Sequence, residues 1–403
     1  MSNRSIWSLL TAAAAVSAGN GVVFALLAEV QRVHGFETSA LGWISGAFFA
    51  SSLVGLLTLA HLADSGRGFQ LLIGGLVVSA IALWWFAVAT ELWQFVAARA
   101  LGGMAYSAFM AAARAAAARI DPTAAGHNLG RVGAADIGGF VLGPVFGTWA
   151  NEVGGLAAPF WALGGIAAIA AAWLALSGSA ASAHAPSTPT DGADTDAQRR
   201  WLTLSGLDLL ADRRILAAAM LALALYLPVG VYDSMWARYL TDLGASARFV
   251  GTSLTLYGLP IVLLAARGGR LVDRIGPIRA MSIAMIGVVP ITALYGILGS
   301  AWLVAGIALV EAIFQAVASP ASQTAMARVC PPHRTAAGQG LGAVLGLAGA
   351  GLVGSVAPTL YGATSSTVVF GGVAAACAVI FFVARALYGP DGGGAPAEVL
   401  SPS

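Results

Sequence analysis

The sequence predicts an all-α membrane protein, with twelve transmembrane helices arranged as two pseudo-symmetric six-helix bundles. Three observations predict it. The 403-residue chain is 58% hydrophobic and only 9% charged, with a mean hydropathy of +0.82, whereas a soluble domain carries about 25% charge. Apolar runs long enough to cross a bilayer recur along almost the whole chain. The first half also matches the second at a nearly constant offset. Twelve spans of about 22 residues use ~264 residues, which leaves loops and tails but no room for a soluble catalytic domain. Disorder and a soluble enzyme are excluded.

Taken in order, the apolar runs start near Trp7, Ala40, Phe69, Trp93, Asn128, Ala157, Ile215, Phe249, Ile278, Ala301, Ala337 and Thr367. The first is too long for a signal-peptide core and is read as retained. Every basic residue is Arg, and the net charge is +2, so attraction to nucleic acid is not expected. With the N-terminus inside, most arginines fall in the loops that share its side, Arg67, Arg114, Arg119, Arg213, Arg214, Arg270, Arg274 and Arg328 among them. This bias predicts two cytoplasmic termini and a multi-pass protein of the cell (inner) membrane. Trp84, Trp85, Trp93, Trp149, Trp161, Trp236 and Trp302 fall near outer span ends and read as an interfacial belt.

The division expected is a six-helix bundle over 1–176, a cytoplasmic linker over 177–214, a second bundle over 215–388 and a disordered tail over 389–403. The linker is rich in Pro, Gly and Asp. Its end, with Trp201, Leu204, Leu207 and Leu210 at helical spacing, reads as an amphipathic helix on the inner membrane face. Cys330 falls in a cytoplasmic loop and Cys377 in the last span, so no disulfide is expected.

The halves align at an offset of 209, which pairs Gly21 with Gly230, Gly35 with Gly244, Gly42 with Gly251, Asp64 with Asp273 and Trp93 with Trp302. After a short insertion, the run Ala124 to Gly130 faces Ala336 to Gly342. Two parallel six-helix repeats imply two bundles about an axis along the membrane normal, with a site between them.

Four stretches carry a family resemblance. Gly269-Arg270-Leu271-Val272-Asp273-Arg274-Ile275-Gly276, after the eighth span, resembles the loop motif of the major facilitator superfamily. Its counterpart around Asp64 lacks the leading Gly and the Arg after the Asp. Arg99-Ala100-Leu101-Gly102-Gly103 is similar to the family's fourth-helix motif. The fifth span, with Gly139, Gly143, Pro144 and Gly147, resembles the motif of proton-driven exporters, although Thr148 stands where a final Gly is usual. Small residues four apart present a flat face for close helix packing. The resemblance implies the major facilitator fold and, within it, the drug:proton antiporter-like branch. It also implies that spans one, four, seven and ten line a central cavity.

Polar groups inside spans are the best site candidates, because each is expensive there unless it is used or paired. Glu311, Asp136 and Asp233 are expected to carry the coupling proton. Asn20, Arg99, Tyr106, Tyr226, Asp233 and Gln315 are expected to line the substrate cavity, with Arg99 the electrostatic neighbour of Glu311. Gating is assigned to an inner latch formed by Asp64 near Thr335 to Gly338 and by Asp273, beside Arg274, near Thr123 to Gly126. An outer ion pair of Glu29 with Arg238 would complete it. No phosphate-binding loop, metal-ligand spacing or catalytic triad is present in the sequence, so no enzyme activity, cofactor or metal is expected. The expected partners are a small-molecule substrate, protons and the lipid bilayer, for a monomer. Few polar groups in the cavity favour proton-coupled efflux of small, fairly apolar compounds. The alternative is proton-coupled uptake or exchange of a sugar or organic anion, held by Arg99.

Overall fold

A computed structural model describes residues 3–59, 62, 67–120, 125–176, 207–331 and 334–389. Twelve of its helices are long and apolar enough to cross a membrane. They are α1 (Asn3–His34), α2 (Ser39–Leu59), α3 (Gly68–Val88), α4 (Leu92–Ile120), α5 (Ala125–Gly154) and α6 (Ala158–Leu176), then α7 (Arg213–Asp242), α8 (Ala247–Ile275), α9 (Pro277–Tyr295), α10 (Ala301–Val329), α11 (Thr335–Ala363) and α12 (Ser366–Tyr388). Residues 177–206 and 390–403, expected as linker and tail, lie outside the described residues, as does Asp64.

The repeat seen in sequence is a repeat of packing. Within the first half α1 packs on α5 and α6, α2 on α4, and α3 on α4 and α6; within the second, α7 packs on α11 and α12, α8 on α10, and α9 on α10 and α12. The matched glycines occupy equivalent positions. Gly21 lies against the Phe140 carbonyl of α5 and Gly230 against the Ala350 carbonyl of α11. Gly35 and Gly244 end α1 and α7 at φ +68° and +84°, a left-handed conformation that a Cβ would oppose. The same five-residue bond follows in each, from Phe36 N–H to the Gln31 carbonyl at 3.1 Å and from Ala245 N–H to the Leu240 carbonyl at 3.0 Å.

One face of the bundle carries the loops after the odd-numbered helices, at 35–38, 89–91, 155–157, 243–246, 296–300 and 364–365; the other carries the chain ends. The halves cross each other through α2 with α11, α5 with α8, and α1 with α7. Gly42 sits on the Ser355 carbonyl and Gly251 on the Pro144 carbonyl, so matched glycines also make close contacts at two of these three crossings, α2 with α11 and α5 with α8. Thr255 Oγ1 donates to the Val141 carbonyl at 2.7 Å, Arg238 Nη1 to Gln31 Oε1 at 3.1 Å, and Arg248 pairs with Glu152. These contacts all lie between the odd-loop face and the middle of the helices.

Three expectations change here. The amphipathic helix into Ile215 is interrupted: Leu207–Ala211 is a 3₁₀ turn, and Asp212 caps α7 by accepting from the Arg214 N–H at 2.7 Å. An aspartate whose side chain takes the free amides of a first turn starts a helix rather than continuing one. Asp208 pairs with Arg334 at the foot of α11, and the guanidinium holds its carboxyl below the usual range. A carboxyl depressed in the folded state stabilises that contact at neutral pH and loses it as pH falls through the depressed value. Trp236 is buried in the interior, not on a belt, whereas Trp93, Trp149, Trp161 and Trp302 are exposed. The Glu29–Arg238 pair is not formed. Glu29 bonds Arg32 one turn away, and Arg238 bonds Asp242 and Gln31, because local partners on the same helix surface satisfy both charges first.

The small residues of α5 do pack as a flat face. A Cβ on Gly139, Gly143 or Gly147 would overlap Ala14, Ala18 or Val22 of α1, respectively. Gly143→Leu is therefore expected to cost folding itself, at about 1–3 kcal/mol or more from overpacking. The readout is a loss of monodisperse protein on gel filtration in detergent.

Candidate functional site

A cavity of ≈ 350 Å³ lies between the halves, walled by Phe24, Phe48, Phe140, Tyr232, Trp236 and Tyr257. Of the expected lining residues, Asn20, Tyr106, Tyr226, Asp233 and Gln315 border it, together with Asp136 and Ser17. Phe24 and Phe140 face each other with ring centroids 5.8 Å apart, and Tyr232 meets Trp236 edge-on at 5.2 Å. The wall is thus largely aromatic, with polar groups at a few points, which is how pockets for compact organic molecules are built.

Two carboxyls border this space and a third lies behind its wall, each differently held. Asp136 on α5 accepts from Ser17 of α1 and from the Tyr106 hydroxyl of α4, 3.1 Å from both its oxygens. Arg114, more than half exposed, stands 3.9 Å away. Asp233 on α7 is buried and joins the halves: Arg99 Nη2 of α4 lies 3.3 Å from its Oδ1, and Ser45 of α2 donates to Oδ2. The Arg99 guanidinium also lies over the Phe48 ring, 4.2 Å from its centroid, a further favourable contact for a desolvated cation.

Glu311 on α10 is fully buried and does not border the cavity, because Tyr232 and Gln315 stand in front of it. The Tyr232 hydroxyl is 2.8 and 2.9 Å from its two oxygens, the Tyr295 hydroxyl of α9 donates at 2.6 Å, and Gln315 Nε2 donates at 3.3 Å. Arg99 is not its neighbour, although Arg99 lies six residues below Trp93 and Glu311 nine below Trp302, a depth difference of only ~4–5 Å at 1.5 Å per residue on which the expected pairing rested. Arg99 and Glu311 enter at similar depth from the odd-loop face, but rotation about each helix axis turns Arg99 to Asp233 of α7 and Glu311 to Tyr232 of α7 and Tyr295 of α9.

Ser45, Tyr232 and Tyr295 were not singled out from the sequence. Their one available signal was a hydroxyl inside an apolar run, which also fits a surface or a backbone contact. Asp273 and Arg274 lie exposed at the chain-end face of α8; of the stretch Thr123 to Gly126, where the latch partner of Asp273 was expected, residues 123 and 124 lie outside the described residues.

The sequence profile of the Major Facilitator Superfamily matches residues 9–235 and 215–400. The chain belongs to that superfamily. It is a secondary transporter rather than an enzyme, and a multi-pass membrane protein. No curated protein sequence matches it. Among solved structures, a mutant of the nucleoside transporter NupG superposes at TM-score 0.78 with 14% identity, covering 96% of this chain and 100% of that one. A bacterial homologue of the human lysosomal transporter Spinster, in an inward-facing and unoccupied conformation, superposes at TM-score 0.73 with 14% identity over 96% and 97% of the two chains. The human organic anion transporter MFSD10 gives 0.66 at 19% identity over 95% and 99%. At these identities the likeness is one of fold.

Within this superfamily member the Arg99–Asp233 pair has a measurable consequence. A single partner left alone becomes an uncompensated buried charge, at about 3–5 kcal/mol. Asp233→Asn is therefore expected to lower thermal stability in detergent strongly, and Arg99→Met combined with Asp233→Leu to lower it less than either single change.

Proposed function

We propose that the chain exports small, fairly apolar compounds in exchange for protons, by alternating access, and that Glu311 carries the coupled proton with Asp136 as the second site. The observation that carries this reading is the pairing of a largely aromatic cavity with a buried carboxyl held only by hydroxyls and an amide. Glu311 can take or give up a proton without breaking an ion pair, whereas Asp233 cannot. A carboxyl of that kind next to a substrate wall lets proton and substrate compete through the conformational equilibrium. The engagement of Arg99 by Asp233 weighs against the uptake of an organic anion, since its charge is already met. The scarcity of polar groups in the wall weighs against a sugar.

With both termini cytoplasmic and the protein in the cell membrane, the contacts between the halves would close the outer side, and the cavity would be reached from the cytoplasm. A latch of Asp64 and Asp273 with the feet of α11 and α5 would then form in the opposite, outward-open state, each carboxylate at a helix N-terminus adding about 0.3–1 kcal/mol. The decisive experiment is transport into proteoliposomes under imposed pH gradients, with cationic dyes, sugars and organic acids compared. Gradient-dependent movement of dyes alone supports export of apolar compounds. Movement of sugars or acids alone overturns it.

A further inference from the structure

Beside the Arg99–Asp233 pair, and sharing Asn20 with the substrate cavity, lies a small space of ≈ 20 Å³. Gly19 and Asn20 of α1, Ser79 and Ala82 of α3, and Arg99 and Gly102 of α4 border it. Two of these residues bring hydrogen-bond donors that nothing among the described residues meets: Asn20 Nδ2 and Arg99 Nε are both buried without an acceptor. Asn20 is 8% exposed and Arg99 3%, so neither donor reaches bulk water. The Asn20 side-chain oxygen is turned to the Arg99 Nη1, 3.5 Å away, which leaves its amide nitrogen without an acceptor. Orphaned buried donors are rare in native proteins and are met by ordered water where room exists. One water needs about 10–15 Å³ of such room.

We propose that this chamber is a binding site for an ordered water that accepts hydrogen bonds from Asn20 Nδ2 and Arg99 Nε. The charge of Arg99 is already met by Asp233 and Ser45 holds the other oxygen of that carboxylate, so a neutral acceptor suits the site better than an anion. The position of the chamber gives the water a role. All of its walls belong to α1, α3 and α4, which pack as one bundle, while Asp233 belongs to α7 of the other half. When the halves separate on the odd-loop side, Asp233 withdraws from Arg99 and the water does not. It keeps part of the guanidinium hydrogen-bonded through the step at which its counter-ion leaves.

Gly102 offers a clean test. A Cβ there meets only the Ala82 Cβ within 4 Å, at 3.8 Å, so Gly102→Ala adds a methyl at the chamber wall without a clash. In a helix the exchange of Gly for Ala is ordinarily stabilising. Here it displaces the water and strands both donors. The unfolding midpoint of the purified full-length protein is expected to fall by about 2–4 °C. In an Asn20→Leu background, where one donor is gone and leucine fills the space, Gly102→Ala is expected to be neutral or stabilising. The same measurements with chloride replaced by gluconate are expected to be unchanged. A high-resolution structure is expected to show density within 3.2 Å of both nitrogens in the parent and none in Gly102→Ala, water reaching about that far to a nitrogen. An equal effect of Gly102→Ala in both backgrounds overturns the proposal. So does a chloride-dependent midpoint in the parent alone, which would make the occupant a halide.

Discussion

Glu311→Gln is expected to abolish transport driven by a pH gradient while leaving substrate binding and substrate exchange across equal pH intact. Glutamine keeps the volume of the side chain and can still accept from the Tyr232 and Tyr295 hydroxyls, which hold the carboxyl at 2.8 and 2.6 Å. Folding should therefore survive, and what is lost is the exchangeable proton. The expected effect is a fall of gradient-driven flux to the leak level, against a change within about fivefold in exchange, the equivalent of the roughly 0.5–1 kcal/mol at stake in a single neutral hydrogen bond. Tyr232→Phe, which removes one hydroxyl and keeps the ring in the cavity wall, should give an intermediate phenotype. If gradient-driven flux persists in Glu311→Gln, the proton site is elsewhere and Asp136→Asn is the next variant.

Gly42→Leu and Gly251→Leu are each expected to hold the odd-loop face open. Gly42 rests on the Ser355 carbonyl and Gly251 on the Pro144 carbonyl. Backbone cannot swing aside as a side chain can, so a larger residue forces the two halves apart. Both contacts run between the halves, and each bundle keeps its own core, so the variants should fold, unlike Gly143→Leu. A penalty of about 1–3 kcal/mol on the closed arrangement shifts the equilibrium roughly 5- to 150-fold. Spin labels at the exposed positions Glu37 and Thr364 report the outcome: their separation should lengthen in both variants. An unchanged distance distribution would show that these crossings do not set the closed state.

Much of the architecture was legible because the signals were long and redundant. Each span is a run of twenty or so apolar residues, and the repeat duplicated its glycines at helix ends and close helix contacts, so the pairs Gly35 with Gly244 and Gly42 with Gly251 marked structural positions. The polar candidates were legible as a set, since an ionisable group within a span has few uses. Their pairing was not. Arg99 and Glu311 were matched by depth, which sequence position supplies at 1.5 Å per residue. Partner choice depends on rotation about the helix axis, where one residue is a turn of about 100°. In a span apolar on every side, no hydrophobic stripe reports that angle. The same blindness hid Tyr232 and Tyr295 and misplaced Trp236, because an aromatic near a span end reads alike whether it meets lipid headgroups or a cavity.

The three carboxyls also differ in electrical terms. Asp233 has Arg99 and Asp136 has Arg114, while the partners of Glu311 are uncharged. If the transported charge is set by Glu311 alone, the current carried by the cycle reveals what the cavity exchanges for its proton. Trading one proton for one monovalent cation moves no net charge and leaves the rate indifferent to voltage. Trading it for a neutral molecule moves one charge per turnover, worth about 2.3 kcal/mol for each 100 mV. A voltage clamp across a proteoliposome membrane would then read the charge of the substrate before its identity is known.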